Sequence, residues 1–134
     1  MSIQSSSMTI VTSRVQEVRR FYEDHLDALT SFDCGWYIVL RLGRQKPAPE
    51  LCLMEPQDGM PEFSGGITLN LQVEDVDKMH QRAVTEGLIP TVPLEDHPWG
   101  DRGFGIQDPA GITIYCYQPI VPSETFRQYF LTPA

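Results

Sequence analysis

The side chains able to do chemistry in this chain are few and scattered. There are three histidines, His25, His80 and His97, and three cysteines, Cys34, Cys52 and Cys116. An odd, widely spaced set of cysteines builds neither a disulfide framework nor a CxxC metal motif, so they read as reduced thiols packed in sheets. His25 and His80 fall within helical spacing and read as structural. His97 sits in a loop before Trp99, where an imidazole could touch a ligand or carry a proton near neutral pH. There is no Gly-x-Ser-x-Gly elbow, no activating partner beside a cysteine and no glycine-rich phosphate loop. Glu50, in the strand-like run Glu50-Leu51-Cys52, is the one carboxylate that alternation turns away from the helices.

The elements that position these groups follow from periodicity. Ile67, Leu69 and Leu71 alternate with Gly66, Thr68 and Asn70, which predicts a strand. Val18, Phe21, Tyr22, His25, Leu26 and Leu29 keep helical spacing, as do Val76, Met79, His80 and Ala83. Asp75 suits an N-cap and Gly87 a helix stop. Strands are expected near 28–33, 36–42 and 50–54 after the first helix, and near 89–94, 102–107 and 112–117 after the second. Asp108-Pro109-Ala110-Gly111 is a turn: Pro presets φ, Asp accepts backbone hydrogen bonds and Gly tolerates positive φ. A short polar leader with no basic or apolar region precedes the first strand, unlike a signal peptide. The tail beyond Pro122 is expected to form a helix capped by Ser123 that buries Phe126 and Phe130.

The pattern of Ile10–Leu29 recurs after a shift that lays Val15-Gln16-Glu17-Val18 on Val73-Glu74-Asp75-Val76. The expected organisation is therefore a single α+β domain, residues 1–134, of two βαβββ modules. Module one covers about 8–55, a linker 56–65, module two about 66–118, and a tail 119–134. Curved mixed sheets enclose a cavity, with helices on the outer face.

Composition narrows the function. The 134 residues are 41% hydrophobic and 21% charged, an ordinary globular balance. A net charge of -8 argues against nucleic acid and anionic membrane surfaces, and no apolar run is long enough to span a bilayer. With the cysteines reduced, a cytoplasmic location is expected.

Val15-Gln16-Glu17-Val18 followed by Phe21-Tyr22 resembles the opening helix of the vicinal-oxygen-chelate superfamily, which holds glyoxalases, bleomycin-resistance proteins and extradiol dioxygenases. Pro98-Trp99-Gly100-Asp101-Arg102-Gly103-Phe104, followed by Asp108-Pro109-Ala110-Gly111, resembles its closing hairpin, and is most similar to the drug-binding, bleomycin-resistance-like branch. The resemblance covers roughly residues 8 to 118. It implies a homodimer and, for the enzymes, a divalent metal held by His and Glu from the first and last strands of each module. Counting from the matching motifs puts Ile10, Thr68 and Tyr115 at three of those positions and leaves Glu50 as the only candidate at the fourth. Ile has no donor atom, and Thr and Tyr are poor ligands for such ions. No metal or other cofactor is therefore expected.

Alternation turns Thr113, Tyr115 and Tyr117 inward, with Glu50, Cys52, Thr68 and Asn70. Gly103 and Gly105 would leave bare sheet for a flat ligand. The resemblance places Trp99 at the cavity mouth. Trp36 could join it, although a core position suits it better. The expected ligand-binding set is Glu50, Cys52, Thr68, Asn70, Trp99, Thr113, Tyr115, Tyr117 and Trp36, with no catalytic residue. The expected function is non-catalytic binding or sequestration of a small aromatic molecule, neutral or cationic, with Glu50 as counter-ion. The alternatives are a glyoxalase-like lyase or isomerase, or a dioxygenase-type enzyme, with unrecognised ligands or with Glu50 or His97 as base. A further alternative is an accessory protein that binds a biosynthetic intermediate.

Overall fold

Residues 2–132 are described in a computed structural model; Met1, Pro133 and Ala134 lie outside that range. The first module runs β1 (Ser7–Val11), α1 (Val15–Leu26), β2 (Leu29–Asp33), β3 (Tyr37–Arg41) and β4 (Glu50–Met54). The second runs β5 (Thr68–Gln72), α2 (Val76–Thr85), β6 (Val92–His97), β7 (Asp101–Gln107) and β8 (Thr113–Pro119), followed by a short α3 (Glu124–Arg127). Each module is an open four-stranded sheet, in the order β1-β4-β3-β2 or β5-β8-β7-β6. The parallel pairs are β1 with β4 and β5 with β8; the remaining pairs are antiparallel. The chain divides into two compact units, residues 1–65 with 108–111, and residues 66–107 with 112–134.

In the first unit the core lies between α1 and one face of the sheet. Val15, Val18 and Tyr22 from the helix meet Ile10, Ile38, Leu40, Leu51 and Leu53, all almost fully buried. The helix ends at Leu26 because Asp27 turns left-handed at φ 55°, and Ala28 N–H closes it by donating to Tyr22 O at 3.1 Å. Leu29 therefore begins β2 instead of extending the helix. The Asp108 turn belongs to this unit. Its carboxylate, 5% exposed, accepts from Tyr22 OH at 2.6 Å and from Ala110 N–H at 2.8 Å. Gly111, at φ 95°, donates its N–H to Asp108 O at 3.0 Å, which closes the turn.

In the second unit Val76 and Ala83 of α2 cover Phe104, Ile106, Ile114 and Cys116. Asp75 caps α2 by accepting from Lys78 N–H at 3.1 Å, and Gly87 follows the helix at φ 86°. Three expectations need correction here. The strand placed near 89–94 lies at Val92–His97, with a register shift between Val92 and Glu95, and Ile89 is 85% exposed. His97 is thus the last residue of a strand and pairs with Asp101, and is not a loop residue. In the tail, Ser123 makes no side-chain cap, Phe126 is only half-buried and Phe130 is exposed.

The modules repeat, but in a different register from the one the sequence suggests. Ser7 is matched by Thr68 and Val15 by Val76, three residues beyond the Val15–Val73 pairing. Ile10 then corresponds to Leu71, and it pairs with Leu53 on the helix side.

Candidate functional site

The best-defined site lies in the second unit, on the sheet face away from α2. Alternation along β8 buries Ile114 and Cys116 and leaves Thr113, Tyr115 and Tyr117 on the other face. Asn70 of β5 stands beside Tyr115 in the parallel ladder. Asn70, Trp99, Gly100, Asp101, Tyr115 and Tyr117 line a cavity of about 330 Å³. Four of the expected ligand-binding residues, Asn70, Trp99, Tyr115 and Tyr117, are thus brought together. Thr68 and Thr113 pair with each other two residues further along the ladder and do not line it.

Asp101 organises this cavity. Its Oδ1 accepts from Tyr115 OH at 2.5 Å and lies 2.8 Å from His97 Nδ1, and its Oδ2 accepts from Trp99 Nε1 at 2.7 Å. With Nδ1–H donating to Asp101, the ring's other nitrogen, Nε2, is the acceptor; it lies 3.9 Å from Glu95. The His97 ring stacks on Trp99, with centroids 4.5 Å apart and planes 3° from parallel. Burial would raise the Asp101 carboxyl, but the hydrogen bonds from Tyr115, His97 and Trp99 outweigh it and hold the group below the usual carboxylate range. Burial, and then the bond to Asp101, pushes the Tyr115 phenol well above its ordinary value. Tyr115 is therefore a donor to a carboxylate that also serves His97 and Trp99, and neither group is a free base.

The glycines of β7 make this arrangement possible, although they do not leave sheet bare as expected. A Cβ on Gly103 would lie 2.5 Å from Tyr115 Cζ and Oη, and one on Gly105 would lie 2.8 Å from Val92 Cγ2. Tyr115 lies across Gly103, and its ring stacks on Tyr117 at 6.0 Å and 17°. The Trp99 turn is held from behind. Ile120 N–H donates to Gly100 O at 2.9 Å, Ser123 N–H donates to Pro98 O at 2.8 Å, and Phe126 packs edge-on to Trp99 at 6.2 Å. His97, the histidine expected to be able to touch a ligand, does join the site, whereas Asp101 is a member that residue types alone do not single out. The alternation His97-x-Trp99-x-Asp101 around Gly100 is the signal that could have found it, because a hairpin there sets residue 97 opposite 101.

The other expected residues belong to the first unit. Cys52 faces away from α1 as expected, but it is 4% exposed and is not part of an open cavity; Tyr37 OH, whose phenol the neighbouring Cys52 holds above its ordinary value, lies 3.0 Å from Thr9 Oγ1. Trp36 is 48% exposed, so the core position that seemed to suit it is not the one it takes. Glu50 lines a separate cavity with Arg41, Arg44 and Lys46, so its surroundings are cationic and it is not a lone counter-ion for a cation.

In the corrected register, the residues at the middle of each parallel strand pair that face away from the helix are Thr9 with Cys52 and Asn70 with Tyr115. They offer a hydroxyl, a buried thiol, an amide and a phenol already bonded to Asp101. Among the described residues no three His, Cys, Asp or Glu side chains converge. This donor set does not fit a divalent metal held by imidazole and carboxylate.

Two repeated βαβββ modules, each an open mixed sheet with a helix on one face, define a class of small α+β proteins. The chain belongs to the Glyoxalase/Bleomycin resistance protein/Dioxygenase superfamily, whose family model matches residues 4–115. It is 35% identical over 75 residues to the Mycobacterium bovis protein Mb0911c, a match that takes in 47% of this chain and 49% of that one. The chain thus spans about half the length of the curated relatives it matches. Among solved structures it is similar to TnmS3, an antibiotic-binding protein from Streptomyces sp. CB03234, with TM-score 0.70 and 24% identity over 89% of this chain and 98% of that one. It is similar, at the same TM-score of 0.70, to a lactoylglutathione lyase from Agrobacterium tumefaciens, with 18% identity over 88% of this chain and 96% of that one. At these identities the likeness establishes the fold, which serves a binder and an enzyme alike. No helix among the described residues is long and apolar enough to cross a membrane.

Proposed function

We propose that the chain binds a small, planar, aromatic organic molecule in the cavity lined by Asn70, Trp99, Tyr115 and Tyr117, and holds it without transforming it. The observation that carries this reading is the saturation of Asp101. The only carboxylate lining that cavity is bonded by Tyr115, His97 and Trp99, which fixes the aromatic side chains in place and leaves that carboxylate fully engaged as their acceptor. Tyr117 and Trp99 offer π-faces, and Asn70 offers an amide donor and acceptor to orient a polar handle. A neutral or cationic ligand is favoured, since π-faces attract cations and the chain carries a net charge of -8. The antibiotic-binding function of TnmS3 is compatible with this reading.

The test is a tryptophan-fluorescence titration against aromatic antibiotics, dyes and small anionic metabolites. Removing an aromatic anchor typically costs about 2 kcal/mol, or roughly thirtyfold in affinity. Trp99→Ala should weaken a matching aromatic ligand by that factor. Binding of the small anions alone, or no effect of Trp99→Ala, would defeat the proposal. The exposed Tyr129 and Phe130 support a homodimer, which light scattering at micromolar concentration tests: a monomer refutes it. Reduced thiols and an acidic surface support a cytoplasmic setting.

A further inference from the structure

The first unit carries a second set of groups that the proposed binding cavity does not use. Tyr37, Val39 and Arg41 alternate with the buried Ile38 and Leu40, so all three stand on the sheet face away from α1. At the Tyr37 end, Phe32, Cys34, Trp36, Tyr37 and Val39 line an open apolar cavity of about 520 Å³. Phe32 and Trp36 each meet Tyr37 edge-on, at 6.5 and 5.9 Å, and both remain about half exposed. At the Arg41 end, a cavity of about 390 Å³ is lined by Arg41, Arg44 and Lys46 together with Glu50.

This second cavity is unusual in a chain of net charge -8 with only 10 Lys and Arg residues. Three of those cations line one cavity, against a single carboxylate. Arg41 stands directly across the ladder from Glu50, yet no ion pair within 4.0 Å joins any of the three to an acid among the described residues. By contrast, Arg19, Arg82 and Arg102 are each satisfied by carboxylates at 2.8–3.1 Å. Unpaired guanidinium groups in a cavity are positioned for a planar carboxylate or sulfonate, which they can grip with parallel hydrogen bonds. An otherwise acidic surface repels anions elsewhere and leaves this corner to attract them.

We infer that this face of the first sheet binds an elongated organic acid. Its flat apolar body lies over Phe32, Trp36 and Tyr37, and its acid group reaches Arg41, Arg44 and Lys46. Tyr37 and Arg41 are four residues apart in one strand, about 14 Å at the usual rise, so the ligand has the length of two or three fused or linked rings. The site shares no residue with the Tyr115 cavity, and either can fail without the other.

The experiment titrates the full chain with two fluorescent probes of the same apolar body: anilinonaphthalene sulfonate, which is anionic, and phenylnaphthylamine, its uncharged parent. The sulfonate should bind about tenfold more tightly, the return expected from one charge-assisted contact. The double substitution Arg44→Gln and Lys46→Gln, in an exposed loop, should erase that tenfold advantage and leave the parent unchanged. Trp99→Ala alone should leave the sulfonate unchanged, and in that background, which removes the neutral parent's other aromatic site, Trp36→Ala should weaken both probes. Equal binding of the two probes, or a sulfonate affinity untouched by the Gln pair, overturns the inference. So does loss of sulfonate binding in Trp99→Ala, which would place the dye in the Tyr115 cavity.

Discussion

The two modules share one topology and divide their bulk in opposite ways. On the face away from the helix, β3 presents Tyr37, Val39 and Arg41 opposite Met54, Cys52 and Glu50 of β4. The matching positions of β7 and β8 set Gly103, Gly105 and Gln107 opposite Tyr117, Tyr115 and Thr113. In the first module the large side chains ride on the inner hairpin strand. In the second they have moved to the neighbouring strand, and glycine has cleared the space into which Tyr115 folds. Cross-strand pairs are the unit of sheet packing, so a change of volume on one strand must be matched on its partner. The same backbone thereby carries an aromatic, hydrogen-bonded cavity in one module and an amphipathic face in the other.

The sharpest way to break this contrast is to refill the glycine. Gly103→Ala puts a methyl where Tyr115 lies, and overpacking of this kind costs on the order of 1–3 kcal/mol. Urea denaturation should show that loss, and Trp99 emission should shift as Tyr115 is displaced from Asp101. Unchanged stability would mean that Tyr115 does not depend on the glycine.

Asp101→Asn comes next. It should cost about 1–2 kcal/mol near neutral pH, since hydrogen bonds to a charged group are exchanged for bonds to a neutral amide. The pH dependence has a definite sign. Asp101 has a folded-state value below the unfolded one, near 3.9. Its contribution is fully present above that unfolded value and is lost as pH falls through the folded one. The stability gap between wild type and Asp101→Asn should therefore be flat at neutral pH and shrink only below about pH 4. A gap that closes near pH 6 would assign the effect to another group.

The smallest expected effect separates the thiols. Cys34 is exposed in the first module, whereas Cys116 is buried in the second and its thiol is pushed up to about 11 by that burial. A disulfide reagent at pH 8 should modify Cys34 promptly and Cys116 only on unfolding. Equal rates would contradict the packing of the second core.

Much of this was legible in the residues, for a physical reason. Strand alternation and helical spacing report burial directly, so β4 and the faces of β8 follow from the sequence alone. Asp75, Gly87 and the Asp108 turn follow from their backbone chemistry. β6 was displaced because Pro90 and Pro93 and the acidic pair Glu95-Asp96 dilute its apolar pattern, and its register shift breaks the alternation. Ile10 is not the first-module counterpart of Thr68, because the repeat carries a three-residue offset that low identity conceals and Ser7 holds that place. Asp101, and the partner that His97 finds in it, are not legible because their meeting depends on hairpin register, and single residues do not announce which neighbour they will face. Trp36 and Glu50 were misjudged because residue type alone does not reveal a half-exposed hairpin or a cationic loop nearby.

The most direct measurement is native mass spectrometry of the protein purified from its own host without chelator. The expected result is an organic adduct, one per chain, released chemically unchanged on denaturation, and affinity for it lost in Trp99→Ala. One tightly held zinc, nickel, iron or manganese ion per chain, or release of a chemically altered ligand, would contradict binding without transformation.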